Sequence, residues 1–192
     1  MNWVWYGRLL VMGLGLIVGQ VPAQAIPGQT VEEAKTWIQA NPTLAPTTGE
    51  MLVVRKSDMA ARRLVFRASP FPVGQIPLMA RSSIIRYEEI SLFDVTNGIN
   101  LNRLVESLRA IYGPTIHQDY MQAVSVLRYP QQPTSQLSKL GDFLRGEVRR
   151  GAQFAYWTEI ATNPNGVPYA GRITIFLLED VPKITTELQQ TR

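Results

Sequence analysis

The stretch NGINLNRLVESLRAIYGPT, residues 97–115, has the pattern of an amphipathic helix with its own start and stop. Asn100 is placed to cap the helix start. Gly113-Pro114 predicts its end, because glycine accepts the left-handed conformation of a C-cap and proline cannot continue a helix. Between them, apolar residues recur every three or four positions, at Leu101, Leu104, Val105, Leu108 and Ile111.

A second helix of the same design is predicted earlier in the chain, in PGQTVEEAKTWIQANPT, residues 27–43. Thr30 and Glu33 are spaced as a capping box, in which each side chain bonds to the backbone of the other residue. Gly28 and Gly98 each stand two residues before the predicted cap. The two helices therefore begin in the same way. The apolar stripe of this one is supplied by Val31, Ala34 and Ile38.

Three strand candidates follow each predicted helix. Apolar and polar residues alternate in RRLVFRAS at 62–69, where Leu64 and Phe66 lie on the side opposite to Arg63 and Arg67. The six segments are 51–56, 62–69, 83–93, 123–129, 151–160 and 172–178. Within the second set, SQLSKLGDFLRG at 135–146 has leucines at helical spacing, which predicts a short helix.

The order helix, three strands, helix, three strands predicts an α+β fold whose helices pack on one face of an antiparallel sheet. The chain then divides into two helix-plus-three-strand units, residues 26–96 and 97–180, and a C-terminal tail at 181–192. The similar helix starts favour a tandem repeat. The alternative is one domain whose helices look alike because amphipathic helices generally do. Whether the tail packs or frays is left open.

The first 25 residues have the three parts of a secretory signal peptide. Arg8 lies in a short basic region, residues 9–19 form an apolar core too short to span a membrane, and Ala23-Gln24-Ala25 fits a small-x-small cleavage site. The alternative, an uncleaved anchor that starts at Trp3, is interrupted by Arg8. We therefore expect export to the periplasm, to the thylakoid lumen of a cyanobacterium, or into the medium.

Composition narrows the classes of function. The chain has no cysteine, which excludes disulfides, thiolate metal sites and a lipoprotein anchor. Its net charge is +4. The 19 basic residues, mostly Arg, are too interspersed along the chain for a nucleic-acid-binding protein. Gly13 and Gly15 resemble a dinucleotide motif but belong to the signal peptide, so no cofactor is expected. No later apolar stretch is long enough to span a membrane.

The Gly-x-Thr and Gly-x-Asn helix openers, the YGP stop at 112–114 and the strand segment SVLRYP resemble a known exported α+β repeat. That repeat belongs to the β-lactamase inhibitory protein and the small outer-membrane assembly proteins of the BamE/SmpA group. The resemblance covers most of residues 26–180 and implies binding of other proteins through an exposed sheet face. This chain lacks a lipobox cysteine and a cysteine pair, so the lipoprotein role does not carry over. The chain also resembles exported cyanobacterial proteins.

Few residues suggest catalysis. His117, the only histidine, is expected on a loop where Asp119 could orient it, but no Gly-x-Ser-x-Gly elbow accompanies it, and a zinc site would need a second histidine. Glu88 and Glu89 are neighbours on a predicted strand, so they point to opposite faces and cannot act on one substrate. Glu179-Asp180 is typical of a solvated strand end. We therefore expect neither a catalytic nor a metal site.

The candidate binding residues are arginines of the predicted strands and aromatic residues near the last hairpin. They are Arg63, Arg67, Arg86, Arg128, Arg172, Trp157 and Tyr169. If the arginines lie on the sheet face away from the helices, they form a basic patch that grips carboxylates, with Trp157 or Tyr169 as the exposed anchor. The alternative is the ordinary polar outer face of a half-covered sheet, neutralised by glutamates.

We therefore expect a non-enzymatic binding or scaffold module that contacts a protein partner in the cell envelope. Steering by the arginines and one aromatic anchor would supply the contact. One alternative is a carrier of an acidic lipid, a pigment precursor or a glycan, for which a deep pocket between helices and sheet is required. The other is a hydrolase, for which a Ser or Asp must lie within hydrogen-bond reach of His117.

Overall fold

The computed structural model describes residues 27–73, 83–130 and 143–191, so the predicted signal peptide and positions 135–142 lie outside it. The helices of the described residues are α1 (Val31–Ala40), α2 (Leu101–Tyr112), α3 (Pro114–Gln122) and α4 (Val181–Thr191). The strands are β1 (Val53–Met59), β2 (Arg62–Ser69), β3 (Tyr87–Asp94), β4 (Val124–Tyr129), β5 (Phe143–Arg150), β6 (Ala155–Thr162) and β7 (Pro168–Phe176). Of these helices, none combines the length and the apolar character needed to cross a membrane.

All seven strands form one antiparallel sheet in the order β1-β2-β3-β7-β6-β5-β4, which confirms the α+β class. Strands β1 to β3 form one meander and β4 to β7 another, and the two join where β3 pairs with β7. Both predicted units therefore contribute to a single sheet. The second unit contains one helix and one strand more than the first, and the tandem repeat stays a prediction.

Both predicted helix starts are confirmed. The Glu33 carboxylate accepts a hydrogen bond of 2.8 Å from the Thr30 N–H, and the Thr30 hydroxyl accepts one of 3.3 Å from the Glu33 N–H. Asn100 accepts one of 2.8 Å from the N–H of Arg103. Gly98 has a φ of 74°, and a Cβ there would lie 2.9 Å from a backbone oxygen of β7. Glycine is therefore required at this helix entry.

Gly113-Pro114 ends α2 without ending the helical structure. Gly113 has a φ of 78°, and its N–H donates to the Arg109 carbonyl at 3.0 Å. Pro114 is the first residue of α3, where proline costs no hydrogen bond because the N–H of that position has no acceptor within the helix. The predicted loop around His117 is therefore wrong, since that segment is helical.

The short helix predicted over 135–146 is also wrong for residues 143–146, the part that the structure describes, because they belong to β5. This strand pairs with β6 over its whole length and with β4 on its other edge. Backbone hydrogen bonds on two edges outweigh the helical spacing of a few leucines, since local sequence preference is a weak determinant of structure.

One face of the sheet is covered by α1, α2 and α3. Ile38 of α1 and Leu108 of α2 belong to the same fully buried cluster as Phe66, Ile90, Tyr156 and Ile175 of the strands. The ring of Trp37 stacks on that of Tyr112 with centroids 5.5 Å apart, which joins α1 to α2. The predicted apolar stripes of both helices are therefore buried against this first face, except for the first residue of each, since Val31 is half-buried and Leu101 is exposed.

α4 packs on the second face of the sheet. Its residues Val181, Ile184 and Leu188 form a second apolar cluster with Trp157 and Phe176. These two strand residues alternate with Tyr156 and Ile175 of the first face, so the two clusters lie on opposite sides of the sheet. The prediction that all helices share one face is therefore wrong for α4. The C-terminal segment left open by the sequence forms this helix.

Glu88 and Glu89 point to opposite faces of β3, as predicted. Glu88 is fully buried on the first face of the sheet. Burial of Tyr112, together with the nearby Glu88 carboxyl group, raises the pKa of Tyr112 well above its usual range. Glu89 lies on the second face, where its carboxylate is 3.6 Å from the Arg172 guanidinium. The two carboxyl groups therefore have separate surroundings and cannot share a proton.

Candidate functional site

The part of the second face that α4 leaves uncovered is the candidate site, and we call it the open face. Cross-strand pairing arranges its side chains in two rows that run across the strands. The first row consists of Arg63, Phe93, Ala170, Ala161 and Leu144. The second row consists of Arg55, Val65, Ser91, Arg172, Glu159, Gly146 and Tyr129. Arg67 and Glu89 are opposite each other on β2 and β3, next to the second row, and complete the open face.

A groove of about 390 Å³ crosses the open face from β2 to β5. Its floor is low because two small residues, Ala170 and Ala161, face each other on the central strands. Phe93 and Leu144 stand on either side of them in the same row. The groove therefore has an apolar floor between two bulky apolar walls, a shape that accepts an apolar group from a ligand.

Arg172 lies in the middle of the groove and is neutralised there. Its guanidinium contacts the carboxylate of Glu159, its direct cross-strand partner, and lies 3.6 Å from the carboxylate of Glu89. The guanidinium carbon also lies 4.5 Å from the ring centre of Trp157. With two carboxylates and an aromatic ring as partners, Arg172 is held in one orientation and contributes little free positive charge.

Tyr129 holds the Glu159 carboxylate from the other side. Its hydroxyl donates to that carboxylate and accepts a hydrogen bond of 2.7 Å from the indole N–H of Trp157. Gly146 makes room for it, because a Cβ at that position would lie 2.2 Å from the hydroxyl oxygen. The polar centre of the groove is therefore a built network and not a chance contact between surface side chains.

Arg63 is oriented by aromatic rings at the β2 end of the groove. Its guanidinium carbon lies 4.6 Å from the ring centre of Phe93. Phe93 in turn meets Tyr169 edge to face, with centroids 5.9 Å apart and an interplanar angle of 86°. Stacking fixes the guanidinium plane and leaves its N–H edge available to bind an anion.

Arg55, Arg63 and Arg67 form what we call the basic cluster. All three are exposed, and none of them forms an ion pair with another residue of the described ranges. Arg63 and Arg67 are four residues apart on the same side of β2, a separation of about 13 Å. Arg55 lies opposite Val65, between them. The positive charge is therefore spread along two strands at one end of the groove.

The structure brings three of the five predicted arginines, Arg63, Arg67 and Arg172, together on one face. Trp157 lies on the same face but is only 8% exposed, so the expectation that it could be the exposed anchor is wrong. The Arg172 guanidinium on one side and α4 on the other cover its ring. Tyr169 is half-buried against Phe93 and supports the groove wall.

Arg86 and Arg128 lie elsewhere. Arg86 contacts Glu179 at 2.5 Å and Asp180 at 2.6 Å, which fastens β3 to the residues just before α4. Glu179-Asp180 is therefore an anchor point for Arg86 rather than a purely solvated strand end. Arg128 contacts Glu147 at 2.9 Å and is 67% exposed at the edge strand β4. Neither guanidinium lines the groove.

His117 and Asp119 do not act together. The Nε2 atom of His117 lies 3.8 Å from Glu106 of α2. Asp119 points into the loop between β5 and β6, where it accepts hydrogen bonds of 2.8 Å from the Ala152 N–H and 2.7 Å from the Tyr156 hydroxyl. Burial and this carboxylate raise the pKa of Tyr156. Asp119 is therefore a structural residue, and the geometry does not support the predicted hydrolase alternative.

The open face offers guanidinium donors beside an apolar floor, an arrangement suited to binding carboxylates joined to apolar groups. In the part of the chain that the structure describes, no three His, Asp or Glu side chains converge on a point that could hold a metal ion. No protein-family model, curated protein or solved structure matches this chain significantly.

Most residues of the open face are absent from the set predicted from sequence, among them Arg55, Phe93, Tyr129 and Ala161. Arg55 was visible as an arginine on a predicted strand. Phe93 ends a predicted strand and gave no sign that it would lie under Arg63. Only the register between strands brings these residues together, and register between distant segments cannot be read from one sequence.

Proposed function

We propose that this protein is an exported, non-enzymatic binding module that contacts a protein partner through the open face. The observation that carries the proposal is the basic cluster of exposed arginines beside an apolar groove, with Arg63 stacked on Phe93. Exposed charges speed and orient the encounter, while the apolar groove supplies the contact that excludes water. The partner is a protein of the compartment to which the predicted signal peptide directs the chain, the periplasm or the thylakoid lumen.

The spacing of the arginines supports a protein over a small molecule. The Cα atoms of Arg63 and Arg67 are about 13 Å apart on β2, and the Arg63 guanidinium is held over the Phe93 ring, so the two arginines present separate sites for carboxylates. A partner that bears several carboxylates can engage both. The groove is also open along its length, and a protein partner brings its own cover for the apolar floor.

The test compares affinity purification of three tagged forms from the envelope fraction of the native cell: wild type, Arg55→Glu/Arg63→Glu/Arg67→Glu, and Arg109→Glu. Arg109 is an exposed arginine of α2 that contacts Glu106 on the other side of the sheet, and its reversal is the control for a charge change away from the open face. Arg86 is left unchanged because it fastens β3 to the segment before α4. We expect one defined protein to be recovered with wild type and Arg109→Glu and lost with the triple variant. A partner retained by the folded triple variant would contradict the proposal.

A second candidate function, a small-ligand carrier, is favoured by a cavity of about 450 Å³ at the start of α2. It is lined by Leu101 of α2 and by strand residues that include Arg128, Glu147 and Ile160. Its size lies within the range of small-molecule sites, and Arg128, which contacts Glu147 but is 67% exposed, keeps N–H groups that can bind an acidic ligand group. Native mass spectrometry of protein purified from its own cell tests this function. A bound small molecule that Arg128→Ala releases would support it.

A further inference from the structure

We infer that the partner presents an extended segment with one bulky apolar side chain for the groove floor and carboxylates for the basic cluster, separated by about two residues. The inference rests on the proposed function and adds the chemistry of the partner. It follows from the positions of the apolar floor, of the exposed arginines beside the groove, and of the two carboxylates that offset Arg172.

The first row determines where the partner's apolar side chain must lie. Ala170 and Ala161 leave a depression between Phe93 and Leu144, whose strands are three positions apart, or about 14 Å. An apolar side chain of the size of leucine or phenylalanine fills that depression and removes the floor from water. The groove volume of about 390 Å³ also leaves room for the backbone on both sides of such a residue.

The basic cluster determines where the partner's carboxylates must lie. It lies on β1 and β2 alone, so the partner's carboxylates must lie on one side of its apolar residue. Ala170 is two strands away from Arg63, or about 10 Å, which an extended chain covers in three residues. The pattern is therefore acidic residues, two spacer residues, then the apolar residue.

The centre of the groove opposes a carboxylate placed next to the apolar residue. There the positive charge of Arg172 is offset by Glu159 and Glu89. A third carboxylate at that point would meet two like charges without a free cation. The same network that orients Arg172 therefore selects for the spacer, since acidic groups are accepted at the β2 end and disfavoured at the centre.

The inference is tested with the purified protein and four synthetic peptides, by following backbone amide signals in nuclear magnetic resonance titrations. The lead peptide is Asp-Asp-Asp-Gly-Gly-Phe-Gly. Gly-Gly-Gly-Asp-Asp-Phe-Asp has the same composition, but none of its Asp residues is separated from Phe by two residues. The other two peptides replace Asp by Lys or Phe by Gly in the lead peptide. We expect the lead peptide to shift signals of the open face and to bind at least about tenfold more tightly than each control, with an affinity that falls as salt rises.

Two protein variants separate the two features. Ala161→Leu fills the depression while it leaves the basic cluster intact, so it should abolish the advantage of the Phe peptide over its Gly control. Arg55→Glu/Arg63→Glu/Arg67→Glu leaves the depression intact and should abolish the advantage of the Asp peptide over its Lys control. Both variants are compared with Arg109→Glu, which should bind all four peptides as wild type does.

Several results would overturn the inference. Equal binding of the two peptides of identical composition would show that the spacing of the acidic and apolar residues is not recognised. Equal binding of the lead peptide and the Lys peptide would show that the acidic residues are not recognised. Displacement of the lead peptide by equimolar dodecanoate assigns the groove to a small amphiphile. Self-association that Ala161→Leu abolishes assigns it to a second copy of the chain. If no peptide binds but the affinity purification still recovers a partner through the basic cluster, the inference fails and the proposed function stands. If neither result is obtained, both fail.

Discussion

Arg172 and Glu159 are direct cross-strand partners, and their ion pair lies in the second row, beside the apolar floor of the groove. Glu159 is 4% exposed, and Tyr129 donates a hydrogen bond to the same carboxylate. The pair therefore shapes the open face from below and does not supply a free charge to a ligand. The cations that remain available are those of the basic cluster, at one end of the groove.

Glu159→Gln should destabilise the protein by about 1–3 kcal/mol, because it removes the charge that offsets a half-buried guanidinium. Urea unfolding followed by circular dichroism measures the change. Glu32→Gln, on the exposed side of α1, is the control and should stay within about 0.5 kcal/mol of wild type. Equal stabilities of the two variants would show that the buried pair contributes nothing specific.

Gly146→Ala should destabilise the protein by about 1–3 kcal/mol, because the added methyl group forces Tyr129 away from its position. Combining it with Tyr129→Ala should cost less than the sum of the two single changes, since the clash no longer exists. The free energies of unfolding of the single and double variants test this coupling. Strict additivity would mean that Tyr129 does not lie over Gly146.

Asp94→Asn should lower the melting temperature at neutral pH. The Asp94 carboxylate accepts backbone N–H groups of Thr96 and Asn97 and binds Arg62 and Arg103, which holds the turn before α2. Hydrogen bonds from Asn97 and Arg103 lower the pKa of Asp94, so its stabilising effect is present above the usual aspartate pKa of about 4 and is lost as the pH falls below it.

The difference in melting temperature between wild type and Asp94→Asn should therefore shrink as the pH is lowered from 5 towards 2. Thermal unfolding at several pH values measures it. A difference that stays constant over this range would show that ionisation of Asp94 does not stabilise the turn.

Ile184→Ala should destabilise the protein by about 2–4 kcal/mol, because α4 buries this side chain against the second face of the sheet. Gln189→Ala, at an exposed position of the same helix, serves as the control and should change the free energy of unfolding by less than about 0.5 kcal/mol. Equal effects would indicate that α4 is not docked in solution.

Local signals predicted much of the fold. Thr30 and Asn100 cap their helices because short-range hydrogen bonds decide helix starts. The β2 segment was predicted at 62–69 because its two faces differ in polarity. The additional helix α3 was missed because Pro114 both ends one helix and begins the next. The pairing of β5 on two edges likewise depends on contacts that are distant in sequence.

The candidate site was predicted only in part, for the same physical reason. Alternation placed Arg63 and Arg67 on one side of their strand, which the structure confirms. Trp157 is buried by α4 and Arg172, neither of which is near it in sequence. Arg86 looked equivalent to the other strand arginines, but its carboxylate partners lie more than ninety positions away.

The central claim, that the open face contacts a protein partner, is tested most directly by site-specific photocrosslinking in the native cell. A benzophenone amino acid is placed at Val65, in the second row of the open face, or at Gln118, an exposed position of α3. We predict one discrete crosslinked protein from position 65, none from position 118, and loss of the product when Arg63→Glu and Arg67→Glu are added. A chain that crosslinks to no protein at position 65, or to the same protein at both positions, would contradict the claim.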